Sequence, residues 1–181
     1  ILEANLIKKH QPYYNSREKD DKSYNHVVIT KENFPRVVLV RGKNLGQEIP
    51  FNKIKYVFGP FPQGLMLGEA LKNLRKIFPF RDRCVPFGEI KNREQVKPCF
   101  NAQIGLCPGV CSGIISKKEY AKTVQNIRLF FEGKKGALTR KLEREMKDYA
   151  KRHEFEKADK IKRTIFALNH IQDVALIKKE E

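Results

Sequence analysis

The stretch "KPCFNAQIGLCPGVCSG", residues 97–113, holds three of the chain's four cysteines, Cys99, Cys107 and Cys111. The fourth, Cys84, lies upstream, so the gaps between successive cysteines are 14, 7 and 3 residues. Around them, residues 79–113 lose all helical or strand periodicity and carry four of the nine prolines and four glycines. A segment of that composition needs something other than an apolar stripe to organise it. Three readings compete: a disulfide framework, unrelated buried thiols, or a metal centre. Disulfides fit poorly, because four cysteines in 181 residues is a low density and the chain shows no secretory leader pattern. Free cysteine often behaves as a small buried hydrophobe. Three thiols within 13 residues of a proline- and glycine-rich loop favour metal, and four thiolates suit tetrahedral zinc or an iron–sulfur cluster. Only the last gap resembles a zinc knuckle, which counts against zinc and is tolerable for a cluster wrapped by a loop, so spacing leaves the kind of metal open. His10, His26, His153 and His170 lie away from the segment, and none is expected as a ligand.

Regular structure is predicted on both sides. "HVVIT" (26–30), "RVVLVR" (36–41) and "KIKYVF" (53–58) are β-branched or aromatic runs bounded by turn formers and read as strands. The "GPFPQG" that follows, with two prolines and two glycines, is expected to end the third. "LMLGEALKNLRKIF" places Leu67, Leu71, Leu74 and Phe78 on one helical face, and Pro79 stops it. Ser116 and Glu119 form a capping-box pattern ahead of a helix that Gly133 ends. Further on, Leu138, Leu142, Met146 and Tyr149 make one stripe, and Phe155, Ala158, Ile161, Ile165, Leu168 and Gln172 a second. The "KRHE" between them is short enough to force an antiparallel hairpin. Two narrow stripes bury little area, so the hairpin should dock on its own chain or on another hairpin. The expected fold is therefore α+β: a small β-containing central region with flanking helices, an irregular Cys-rich loop and a C-terminal antiparallel helical hairpin.

Charge narrows the partners. The chain carries 37 Lys+Arg against 21 Asp+Glu, a net charge of +16, spread through the sequence with no long basic block. Such a surface favours an acidic polymer, because each neutralised phosphate releases counterions. No apolar run approaches the length of a membrane helix. "ILEANLIKKH", residues 1–10, begins without methionine and already reads as a helix in progress, which suggests a piece of a longer chain.

"DDKSY" (20–24), "VFGPFPQG" (57–64) and "PCFNAQIGLCPGVCSGIISKKEY" (98–120) together resemble the UvrC family, the nuclease subunit of the bacterial excinuclease ABC repair complex. "EFEKADKIK" (154–162) resembles the UVR motif that this family shares with UvrB. The resemblance runs almost end to end. It implies a remnant of a GIY-YIG nuclease domain at 1–22, a central region with a four-cysteine site at 23–113, a connecting helix at 114–135 and a UVR hairpin at 136–172.

On the same footing, Glu3 matches the family's metal-binding glutamate, for Mg or Mn, and Asn15 its downstream asparagine. The GIY and YIG strands and the arginine have no match, so the resemblance implies that this chain alone does not cut DNA. Cys84, Cys99, Cys107 and Cys111 match a four-cysteine set, with [4Fe–4S] the first expectation and zinc the second. The hairpin is expected to bind UvrB through Phe155, Ile161 and Ile165. Damaged double-stranded DNA is the expected substrate, the bacterial cytoplasm the location, and the SOS response the setting. A non-catalytic DNA- and UvrB-binding adaptor with a metal-binding cysteine site remains the alternative. A non-repair protein with a UVR hairpin is a further rival, though such proteins tend to carry short C-x₂-C knuckles.

Overall fold

The computed structural model describes residues 24–90 and 97–170. Three strands, β1 (Asn25–Thr30), β2 (Val37–Arg41) and β3 (Ile54–Phe61), form an antiparallel sheet in the order β2-β1-β3. β1 and β2 make a hairpin in which Val27 faces Leu39 and Ile29 faces Val37. To reach the far side of β1, the chain after β2 must cross the sheet. Its crossing segment, residues 42–53, brings Leu45 and Ile49 over Val28 and Val40 as a small second core. That crossing explains the uninterrupted apolar run of β1: Val27, Val28 and Ile29 are fully buried because both faces of the strand are covered.

β3 continues through Gly59 and Pro60 to Phe61, past the point where the glycines and prolines were expected to end it. β3 lies at the sheet edge, where a proline's missing N–H costs no ladder bond, and the pairing with β1 shifts register there.

The other face of the sheet carries the main core. α1 (Gly64–Ile77) lays Leu67 and Leu74 into it, and Phe78 follows before Pro79. A single helical turn, α2 (Phe100–Gln103), lies in the cysteine segment. α3 (Lys117–Phe131) opens with the expected capping box: Ser116 Oγ accepts from the Glu119 N–H, and the Glu119 carboxylate accepts from the Ser116 N–H. It closes at Gly133, whose φ of 73° lets Lys134 N–H reach back to the Leu129 carbonyl. Tyr120, Val124, Ile127 and Phe130 form its buried stripe.

α4 (Lys135–Lys151) and α5 (Phe155–His170) make the antiparallel hairpin. Leu138, Leu142 and Leu168 enter the same core as the sheet, α1 and α3. The hairpin therefore docks on its own chain, one of the two outcomes its narrow stripes allowed. Among the described residues, no helix is long and apolar enough to cross a membrane.

Candidate functional site

All four cysteines are free thiols. The sulfurs of Cys84, Cys99 and Cys111 lie within 4.8 Å of one another and form the one such group of potential metal ligands among the described residues. Cys107 stands outside this trio. It is 4 % exposed, packed into the main core with Val110 and Tyr120, and its N–H donates to the Asn101 carbonyl.

Local backbone chemistry brings Cys111 to the site. Gly109 and Gly113 adopt left-handed conformations, φ 78° and 71°, on either side of the tight turn Val110–Ser112. A Cβ on Gly113 would stand 3.1 Å from the Phe87 ring, so both space and backbone demand glycine there. Cys99 precedes α2, and its N–H donates to the Cys111 sulfur at 3.4 Å.

Two arginines frame the cluster. Arg81, 5 % exposed, donates from Nη1 to Glu32 Oε2 (2.8 Å) and to the Phe34 carbonyl (2.6 Å). Its Nε donates to the Cys84 carbonyl. Arg75 donates to the carbonyls of Leu106 (2.9 Å) and Phe80 (3.1 Å) and pairs with Asp82 at 3.0 Å. Asp82 in turn accepts from Asn101 Nδ2 at 3.2 Å. Sequence reasoning misses both networks. The dense "RDRC" before the first cysteine was the available signal, but one arginine among 37 basic residues does not announce its burial.

The electrostatics suit a cation. Burial, then the neighbouring thiols Cys107, Cys111 and Cys99, push Cys84 up to about 12. Burial also raises Cys111, only partly offset by the Cys99 N–H. At Cys99, burial is outweighed by the N–H groups of Ala102 and Asn101 and by the other two thiols, and its pKa falls below the ordinary value. Crowded, half-buried thiols resist becoming thiolates together unless a positive centre offsets their repulsion. Soft sulfur donors with no histidine or carboxylate among them fit zinc or an iron–sulfur group.

Comparison with known proteins places this geometry. Residues 24–130 match the family model "UvrC/Cho excinuclease, middle domain", and residues 136–171 match "UvrB/uvrC motif". The chain belongs to the UvrC family. It is 42% identical over 171 residues to "UvrABC system protein C" of Trichormus variabilis, covering 94% of this chain and 26% of that protein. The protein of the same name from Clostridium kluyveri is 40% identical over 175 residues, with the same coverage. That of Microcystis aeruginosa is 38% identical over 179 residues, covering 97% and 27%. The chain thus spans about a quarter of the length of the curated relatives it matches. No solved structure matches it.

Within this UvrC-family chain, the expected site residues fare differently. Glu3 and Asn15 lie outside the described residues. Phe155, first residue of α5, is 63 % exposed and meets the His153 ring edge-on at 5.8 Å. Ile161 and Ile165, expected on the same docking surface, are half-buried against the chain's own core. Phe166, which the apolar stripe did not include, is 66 % exposed three turns along from Phe155 and meets the His170 ring at a tilt, centroids 4.1 Å apart. Between α4 and α5, Met146, Ala150 and Ala158 line a notch of about 290 Å³, together with Lys147, Asp159 and Lys162.

Proposed function

We propose that this chain is the middle part of the nuclease subunit of excinuclease ABC. In this reading the subunit incises DNA on both sides of a bulky lesion, and this part docks UvrB and contacts the damaged duplex. The observation that carries the reading is the hairpin's division of labour. Its leucines are committed to the chain's own core, while Phe155 stands exposed at the turn with no apolar partner in the core. An exposed ring at the tip of a UVR hairpin, near a notch floored by alanines, suits insertion into a second hairpin of the same kind. Buried aromatic anchors carry much of the energy of such interfaces. In calorimetry against UvrB, Phe155→Ala is expected to weaken binding by roughly 2 kcal/mol or more. Unchanged affinity would place the contact elsewhere.

The cysteines would hold a [4Fe–4S] cluster, with zinc as the second choice. Cys84, Cys99 and Cys111 supply the converging sulfurs, and Cys107, which packs in the core outside that trio, would have to turn toward them to serve as the fourth. Anaerobic purification distinguishes the two: a cluster gives broad visible absorption, whereas a colourless protein with stoichiometric zinc sinks the first choice. Glu3 would bind Mg or Mn, which in the parent enzyme stabilises charge building on the scissile phosphate during phosphodiester hydrolysis. Asn15 belongs to the same nuclease remnant. Because nothing in these 181 residues resembles the GIY and YIG strands, this chain alone should leave a lesion-bearing duplex uncut, and robust nicking by it would refute this.

A further inference from the structure

We infer that Arg81 is a positioning residue for the cysteine site, holding Cys84 in place before any metal arrives. The inference rests on the metal-binding reading above. The polar groups of Arg81 reach several different parts of the fold. Its carbonyl accepts from the Val37 N–H at the start of β2 (3.1 Å), and its N–H donates to the Tyr120 hydroxyl on α3 (3.0 Å). That hydroxyl donates onward to the Pro35 carbonyl at 2.6 Å. The guanidinium holds Glu32 and Phe34 in the β1–β2 loop, and its Nε holds the carbonyl of Cys84 itself. Glu32 is fixed in turn by Arg36 at 2.9 Å.

Sheet, α3 and the first cysteine thus meet at one residue. Burying a cation is costly, and apolar side chains of similar volume often fill such a space equally well. The distinctive result of using arginine here is directional: a planar fork sets the carbonyl, and hence the backbone, of a residue whose sulfur must meet those of Cys99 and Cys111. Arg75 does the matching work for the later cysteines. It holds Leu106 directly and, through Asp82, Asn101, whose carbonyl accepts from the N–H groups of Leu106 and Cys107. Neither arginine is a ligand. They correspond to the outer groups that orient ligands in metal sites, whose loss commonly costs 10- to 100-fold in metal affinity.

The test uses the full 181-residue chain, stripped of metal and reloaded anaerobically with Co²⁺ or with ferrous iron and sulfide. Loading is read from sulfur-to-metal charge-transfer absorption. Arg81→Met and Glu32→Gln are each expected to weaken loading by about 10-fold or more and to diminish the band as Cys84 drifts out of register. Leu168→Ala, which loosens the shared core without removing any of these hydrogen bonds, should load with the wild-type band, separating positioning from general destabilisation. If Arg81→Met fails to fold, Glu32→Gln decides between positioning and a merely structural role. A folded Arg81→Met or Glu32→Gln chain with wild-type affinity and band would overturn the inference. A wild-type chain that takes up neither probe would overturn the metal reading instead, and would show it by giving no band in any variant.

Discussion

The described part of the cysteine loop and the helical hairpin solve the same problem, ordering a stretch of chain, by opposite means. The hairpin uses periodicity: leucines at helical spacing meet the core, and everything else is solvated. The loop uses individual bonds: left-handed glycines, two arginine forks and an aspartate that catches an asparagine. Periodic burial loses stability in proportion to the apolar volume removed at each position. Bonded loops fail at single points, because each unpaired buried polar group costs its full desolvation. Substitutions at matched positions should expose this difference.

The largest effect belongs to the hairpin's inner face. Leu168 is fully buried in the shared core, so Leu168→Ala should cost roughly 3–5 kcal/mol of stability. Phe155→Ala removes a larger side chain from the same helix, but an exposed one, and should change stability by no more than about 0.5 kcal/mol. Urea denaturation of the two variants measures both. Equal losses would mean that the hairpin is held by its tip and not by its leucines.

In the loop, one methyl group should suffice. Gly113→Ala must place a side chain at φ 71° against the Phe87 ring, and the backbone conformation alone costs about 1–2 kcal/mol. The same change at Gly136, inside α4 where a new Cβ meets nothing closer than the Arg140 side chain at 3.8 Å, should stabilise by about 0.5–1 kcal/mol. Opposite signs for these two Gly→Ala variants, read from thermal melts, would mark one region as conformationally specified and the other as propensity-driven.

Acid should also separate the regions. Burial raises the Asp82 carboxyl, but the hydrogen bond and charge of Arg75 outweigh it and hold its pKa below the ordinary value near 4. A depressed native pKa means that Asp82 stabilises the fold fully above its unfolded pKa. That contribution disappears as the pH falls through the native pKa. Burial likewise raises Glu32, but Thr30, Arg36 and Arg81 together hold it low, so it behaves in the same direction. Amide protection factors, corrected for the intrinsic exchange rate at each pH, should therefore fall at Leu106 and Cys107 on acidification before they fall within α4 and α5. Asp82→Asn should remove much of that acid dependence. Simultaneous loss of protection in both regions would show that the loop has no separate acid-labile hold.

This contrast also explains what the sequence disclosed. The three strands, the α1 stripe, the Ser116 capping box and the hairpin were legible because each repeats a pattern over several residues. The extension of β3 through Pro60 was not, since its tolerance depends on an edge position that only the sheet order defines. Spacing showed that the four cysteines formed a group but not that Cys107 would pack into the core while the other three converged. That division goes with the bonds of Arg75 to Leu106 and of Asn101 to Asp82, whose partners stand 31 and 19 positions apart along the chain. Likewise, the stripe pattern put Phe155, Ile161 and Ile165 together, whereas the core claims the two isoleucines and leaves the ring outside.

A comparably small effect is expected where the two strategies meet, at the hairpin turn. His153 is the one described non-glycine residue with positive φ, at 59°. Its N–H donates to the Ala150 carbonyl and the Glu154 N–H to the Tyr149 carbonyl, the paired bonds of a left-handed helix stop that Gly133 serves at the end of α3. Histidine bears a steric cost in that conformation that glycine does not, so the turn keeps it despite a loss of stability. His153→Gly should raise stability by about 0.5–1 kcal/mol while removing the ring that meets Phe155 edge-on. If the proposed docking on UvrB holds and the histidine is there to hold that phenylalanine outward, the more stable variant should bind UvrB less well, and thermal melts with calorimetry would show the two changes moving apart. A variant that gains stability and keeps its affinity would reduce His153 to an ordinary helix stop in a poor residue.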